Sequence, residues 1–306
     1  MEPGRPSASN CQNAAMFRLL NVEGQAALEV DGAWYAVDRL GDDPALSDPM
    51  QAIARFAELH ELTRIVADAD EEGAGALVAS ARLDHTDVRR LGPAVPNPSK
   101  VIAIGLNYRS HAQESNLELP PSPIAFTKFP SCLAGPRDDI ELSGDRVDWE
   151  VELVVVIGIG GRRIEADRAW SHVAGVTLGQ DISDRAVQLI GSPPQFSLGK
   201  SFDTFGPIGP AVVSVDSLDD PDDIELWCEV DDERMQHSRT SDLIFGVPEL
   251  VASLSAVMTL CPGDVIFTGT PGGVGMGRGR FLRPGNVVSS VAVGIGELAN
   301  RCVAPG

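Results

Sequence analysis

The chain has 306 residues, 43% of them hydrophobic, and carries 24 Lys and Arg against 44 Asp and Glu, a formal charge of −20. That length can bury a real core as one large domain or two smaller ones, and no run of about 18 apolar residues is present to cross a bilayer. So acidic a balance argues against nucleic acid and anionic membranes as partners, because phosphates bind to basic faces.

Residues 1–15 are small and polar, lack the apolar stretch of a signal peptide, and are predicted to be a disordered leader. Residues 16–95 are expected to form a small N-terminal α/β accessory domain. Phe17–Leu20, Ala26–Val30 and Trp34–Val37 are predicted strands, and Asp31-Gly32 is a hairpin signal between the last two. Pro49 opens a helical stretch in which Ile53, Phe56, Ala57 and His60 share a face. Asp68–Gly75 is an acidic loop, and the Pro-rich stretch from Gly92 to Ser99 is expected to be a stiff linker.

Residues 99–306 have a different texture and are predicted to be a β-rich, mixed-sheet α+β catalytic domain. Val101–Ile104 and the longer Val151–Ile159 are apolar runs expected as buried strands. Glu165–Val173 is a predicted short helix, Ala211–Val215 a strand, and Asp216–Glu233 an acidic, solvated surface. Pro248 opens a better helix with Leu250, Val251, Leu254, Val257 and Met258 on one face. Val265–Phe267 is a strand running into Thr268-Gly269-Thr270-Pro271.

Glu150 and Glu152 carry the sharpest chemistry. In a strand, residues i and i+2 point to one face, so both carboxylates leave the mouth of an apolar strand together. Two adjacent carboxylates near a core need a cation between them; the alternative is a strand end emerging into water. Asp181 ends another apolar segment, and three carboxylates without nearby Cys or His suit Mg²⁺, Mn²⁺ or Ca²⁺ rather than Zn²⁺. His111 and Glu114, spaced i, i+3, share a helical face and make a candidate general base with its orienting acid, or a plain surface contact. The glycine-rich run Gly269–Gly277 matches neither a P-loop nor GxGxxG and is better suited to presenting backbone N–H groups to an anion. Five widely spaced cysteines without zinc spacing fit free thiols in a reducing cytoplasm. Only three of the 24 basic residues are lysine: Lys100, Lys128 and Lys200.

Over about residues 95–303 the chain resembles the fumarylacetoacetate hydrolase family. The resemblance is carried in order by Ile104-Gly105-Leu106-Asn107-Tyr108-Arg109-Ser110-His111-Ala112-Gln113-Glu114, Pro123-Ile124-Ala125-Phe126-Thr127-Lys128, and Trp149-Glu150-Val151-Glu152-Leu153. It continues through Gln180-Asp181-Ile182-Ser183-Asp184-Arg185, Gly199-Lys200-Ser201-Phe202-Asp203-Thr204 and Thr268-Gly269-Thr270-Pro271-Gly272-Gly273-Val274-Gly275. It implies Glu150, Glu152 and Asp181 as ligands of Mg²⁺ or Mn²⁺, His111 and Glu114 as a water-activating dyad, and Lys200 as the active-site lysine. Arg109, Gln188 and Thr270 fall at substrate-contacting positions, and residues 106–122 at a segment that closes over ligand. A homodimer is also implied, and the cysteine usage sets the expected location as cytoplasmic.

The implied reaction is hydrolysis of a C–C bond in an acylpyruvate-type β-diketo acid, with a pyruvate enolate leaving and its charge held by the metal. Decarboxylation or tautomerisation of oxaloacetate, and isomerisation of a hydroxymuconate-type diacid, use the same enolate and remain alternatives. So does a non-catalytic metal-binding or ligand-binding protein. The chain departs from the family at Asp184 and Ala186, where the family reads Ser-Ala-Arg-Asp or Ser-Ala-Arg-Glu. It departs again at Asp231-Asp232 for Asn-Gly, and at Asn286 for Asp.

Overall fold

The computed structural model describes residues 16–69 and 75–305, so the expected leader 1–15 and most of the loop at 68–75 lie outside the described residues. A ten-stranded sheet runs in the order Ala33–Ala36, Gln25–Val30, Arg18–Val22, Gly206–Val213, Val173–Gln180, Val151–Ile157, Val265–Phe267, Val101–Gly105 and Ile124–Lys128, with Leu133–Ala134 beside Gly206–Val213. A five-stranded sheet follows the order Glu233–Arg239, Glu225–Val230, Val287–Ala292, Gly296–Val303 and Ile140–Glu141. Most neighbours are antiparallel, but Val265–Phe267 runs parallel to Val101–Gly105, which makes the large sheet mixed.

The strand Val151–Ile157 shows why this arrangement forms. All seven residues are buried. Val151, Leu153, Val155 and Ile157 pack with Leu226, Val288 and Leu298 of the second sheet. Val154 and Val156 face the other way, into a core with Ile53, Leu59 and Leu62 from the N-terminal helices. A strand covered on both faces is apolar at nearly every position, which is the run Leu153–Ile157 seen in the sequence. The two carboxylates precede and interrupt that run on the parity of Val154 and Val156.

The N-terminal hairpins extend the large sheet. Leu19 pairs with Val212 and Leu20 with Ala211, so residues 16–95 and 99–306 share one sheet. Asp31 and Gly32 both have positive φ, 48° and 74°, as a two-residue hairpin turn requires. Ala94 and Val95 of the Pro-rich stretch are fully buried.

Three local expectations are corrected and one is refined. The helical stretch after Pro49 is broken at Arg55 into Pro49–Ala54 and Phe56–Ala67, so the buried face becomes Ile53, Leu59, Leu62 and Val66 while Ala57 is exposed. The short helix expected at Glu165–Val173 is present as a 3₁₀ helix, Ala166–His172. The acidic run 216–233 is not solvated throughout, because Leu226, Cys228 and Val230 alternate inward along a strand. In the helix Val247–Val257, Val257 is 78% exposed, and Ser255 is buried where its hydroxyl accepts the Ile164 N–H.

Two departures from the family pattern meet each other. Asp231 and Asp232 both hold positive φ in a tight turn, and Asn286 Nδ2 donates to Asp231 Oδ2 at 2.5 Å. Relative to the family pattern, the amide and the acid are exchanged between the two positions. Asp184 caps the short helix Arg185–Gln188 by accepting the Ala186 and Val187 N–H groups.

Candidate active site

The antiparallel register sets the first part of the site. Glu152 lies opposite Gly179, and Val151 opposite Gln180, so Asp181 emerges one residue past the pairing, next to Glu150. Ligand oxygens of Glu150, Glu152 and Asp181 lie within 4.8 Å of one another, and all three residues are buried. Gly269, at φ +103°, turns the neighbouring segment so that its N–H donates to Glu152 Oε2 at 2.7 Å. A side chain there would meet Asn107 Cβ at 2.7 Å, so both the φ and the close approach require glycine.

Three buried cations surround these acids. Lys200 Nζ donates to Glu150 Oε2 at 2.7 Å and Asp181 Oδ2 at 2.6 Å. Arg185 donates to Glu150 Oε1 at 2.7 Å and to Asp148 Oδ2 at 2.8 Å. Lys128 Nζ donates to Asp181 Oδ1 at 2.8 Å. Burial alone would raise the Glu150 pKa, but Lys200 and Arg185 outweigh it and hold the group at about 2. Burial would likewise depress Lys200, yet Asp181 and Glu150 raise it above its ordinary value.

Glu152 is the exception. Asp148, Glu150, Glu152 and Asp181 outnumber Lys128, Arg185 and Lys200, and Glu152 is the carboxylate with no ion pair among the described residues. Burial, then the like charges of Asp181 and Glu150, push its pKa well above the usual carboxylate range. An uncompensated buried charge is expensive, and a divalent cation held by the three oxygens would relieve it. The donor set is all oxygen, as a hard cation prefers. The residues therefore fit such an ion.

His111 and Glu114 lie on the short helix Arg109–Glu114. His111 Nδ1 is 3.7 Å from Glu114 Oε2, too far for a hydrogen bond, and has no hydrogen-bond partner. Glu114 Oε2 instead accepts the Gly273 N–H at 2.8 Å. The expected anion-binding N–H groups of the glycine-rich run therefore serve the protein's own carboxylates. Gly275 and Met276 donate to Asp148 in the same way, at 2.6 and 2.9 Å.

A cavity of about 170 Å³ joins the two sides. His111, Glu150, Arg185, Gln188, Lys200 and Thr270 supply its polar lining, and Phe126 and Phe196 meet edge-on at 5.7 Å on its apolar side. Glu152 and Asp181 sit against Glu150, and Glu114 follows His111. Arg109 is placed elsewhere: it donates to the Asp242 and Leu243 carbonyls and does not line the cavity.

Four further residues shape the site, and the sequence assigned a role to none of them. Lys128 and Arg185 stood inside motifs, and the scarcity of lysine was a usable signal for the first. Asp148 holds Arg185. Gln236 comes from the second sheet: its Oε1 accepts the Val151 N–H at 3.0 Å, and its Nε2 donates to Thr270 Oγ1 at 2.8 Å and to the Pro271 carbonyl at 2.9 Å. No local pattern marks it.

The chain is similar to known proteins along most of its length. The sequence model described as fumarylacetoacetate (FAA) hydrolase, C-terminal, matches residues 100–303. The human protein named oxaloacetate tautomerase FAHD2A, mitochondrial, is 41% identical over 307 aligned residues, covering 98% of this chain and 94% of that protein. A Mycobacterium smegmatis crystal structure described as HpcE superposes with a TM-score of 0.83 at 44% identity, over 94% of this chain and 100% of that one. A maleylpyruvate hydrolase from Sphingobium sp. SYK-6, solved with manganese(II) and pyruvate, gives 0.76 at 26% identity, over 94% and 100%. The chain belongs to the fumarylacetoacetate hydrolase family of enzymes.

Proposed function

We propose that the chain enolises a small 2-oxo acid with the help of Mg²⁺ or Mn²⁺, and that its reaction is keto–enol interconversion of oxaloacetate. The observation that carries this reading is one small cavity lined by His111, Lys200 and Glu150, with Glu150 grouped with Glu152 and Asp181 in the carboxylate triad. Tautomerisation asks for little more: a proton is moved at the carbon next to the keto group, and negative charge on oxygen is held meanwhile. His111, which lines the cavity, takes that proton and returns it. Lys200 keeps its charge beside the reacting oxygen, because Asp181 and Glu150 favour the ammonium form. Gln188 and Thr270 orient the acid, and Phe126 and Phe196 exclude water. Bound by Glu150, Glu152 and Asp181, the divalent ion would supply positive charge against the developing enolate. The full-length likeness to a protein named oxaloacetate tautomerase supports the same reaction.

Hydrolysis of an acylpyruvate is the second reading, favoured by Glu114 lying beside His111 and by the maleylpyruvate hydrolase with its pyruvate complex. The test is the decay of enol absorbance of oxaloacetate with and without Mn²⁺, beside a panel of acylpyruvates and an assay for released pyruvate. Catalysed ketonisation without pyruvate release supports tautomerisation. No acceleration over buffer, together with acylpyruvate cleavage, overturns it in favour of hydrolysis.

A homodimer is also proposed. Ile124–Lys128 is an outer strand of the large sheet, and Ile124, Phe129, Leu198 and Phe202 are exposed apolar side chains on or near it. Exposed apolar patches beside an open strand favour a second copy; light scattering measures the mass. Among the described residues no helix is long and apolar enough to cross a membrane. The free thiols of Cys132, Cys228, Cys261 and Cys302 support the cytoplasmic reading.

A further inference from the structure

Lys128 is the least expected member of the site. It is among the largest fully buried side chains, it lies outside the cavity lining, and it touches no position where substrate would sit. Its ammonium has three N–H donors and meets three acceptors: Asp181 Oδ1 at 2.8 Å, the Phe205 carbonyl at 3.1 Å, and the Lys200 carbonyl. A planar guanidinium cannot aim its donors at three acceptors converging on one point. This accounts for a lysine here in a chain that otherwise prefers arginine.

The consequences lie on Asp181 and Lys200. Of the two Asp181 oxygens, Oδ1 is taken by Lys128, and Oδ2 faces Lys200 and Glu150. The same ammonium ties Asp181 to the backbone of the 3₁₀ turn Leu198–Lys200, which carries Lys200. We propose that Lys128 is a positioning residue that limits Asp181 to one metal-facing oxygen, weakens the hold on a divalent ion by its own charge, and anchors the turn that aims Lys200. The site thereby exchanges ion affinity for a fixed lysine beside the reacting atoms. This inference rests on the metal reading of the triad.

The experiment is Mn²⁺ titration calorimetry on the full chain, with kcat and KM measured on the same preparations, for wild type, Lys128→Met, Lys128→Gln and Lys128→Arg. The neutral variants should bind Mn²⁺ about tenfold more tightly, because a nearby positive charge is removed and Asp181 gains a free oxygen. Their kcat should fall while KM changes less. Lys128→Arg keeps the charge and should bind Mn²⁺ no more tightly than wild type. A merely structural lysine would give weaker binding in every variant, and unchanged or weaker Mn²⁺ affinity in the neutral variants overturns the proposal. Lys128→Gln retains an amide donor and carries the test if Lys128→Met does not fold. Wild type that binds no Mn²⁺ would overturn the metal reading itself, an outcome distinct from wild-type binding with no gain on neutralisation.

Discussion

The cavity has two walls built on different principles. On one, Glu150 and Asp181 have a cation on each oxygen, and Gly269 holds Glu152. Behind them, two buried glutamines, Gln180 and Gln236, accept the backbone N–H groups of Glu150 and Val151. On the other wall, a six-residue helix presents His111 and Glu114 with side chains 16% and 34% exposed, joined by no hydrogen bond to each other. The carboxylate wall is set before substrate arrives, since moving any member strands a buried charge. The histidine wall is held loosely, and catalytic hydrogen bonds of this kind commonly tighten only around ligand. Leu117 and Leu119, just beyond the helix, are more than half exposed and lie in the segment expected to close.

Breaking the carboxylate wall should have the largest effect. Asp181→Ala removes a ligand oxygen and leaves Lys128 and Lys200 without their shared acid; activity should fall by about 10⁴-fold or more, with no saturable Mn²⁺ binding by calorimetry. On the other wall, His111→Ala should lower kcat by roughly 10²–10⁴-fold, the usual worth of a general acid–base group. Mn²⁺ affinity should stay near wild type, because His111 touches no carboxylate of the triad. Equal loss of Mn²⁺ binding in both variants would erase the distinction between the walls.

Smaller changes sharpen it. Gln236→Leu strands the Val151 N–H and the Pro271 carbonyl, each at about 1–3 kcal/mol, and urea unfolding should register that loss. Glu114→Gln can still accept the Gly273 N–H, so the fold should hold while kcat drops about tenfold as the charge beside His111 disappears. Last come Leu117→Ser and Leu119→Ser. Surface changes of this kind shift stability by about 0.5 kcal/mol or less, so any rise in KM would report closure over ligand. An unchanged KM would remove these residues from the closing segment.

Local periodicity made the core of the site legible. Glu150 and Glu152 had to share a face because strand side chains alternate, and His111 and Glu114 had to lie together because a helical turn brings i and i+3 to one side. The motif order carried Lys200 and Asp181. Other positions have no local signature. Gln236 reaches the site from a different sheet, and Asp148 matters through what it holds. The broken helix at Arg55 and the buried alternation within 225–230 were likewise hidden, the first by a continuous helical pattern and the second by its acidic neighbours.

By itself the sequence determined the donor types, the spacing of the carboxylates, the all-oxygen character of the site and a charge of −20. Tertiary structure decided how that charge is managed where the chemistry occurs. It gathers three of the chain's scarce buried cations around four acids, leaves Glu152 as the one carboxylate of the triad without an ion pair, and holds His111 apart from Glu114. The reason is physical: the identity and spacing of side chains are local properties, whereas the balance of buried charge depends on which distant strands the fold brings together.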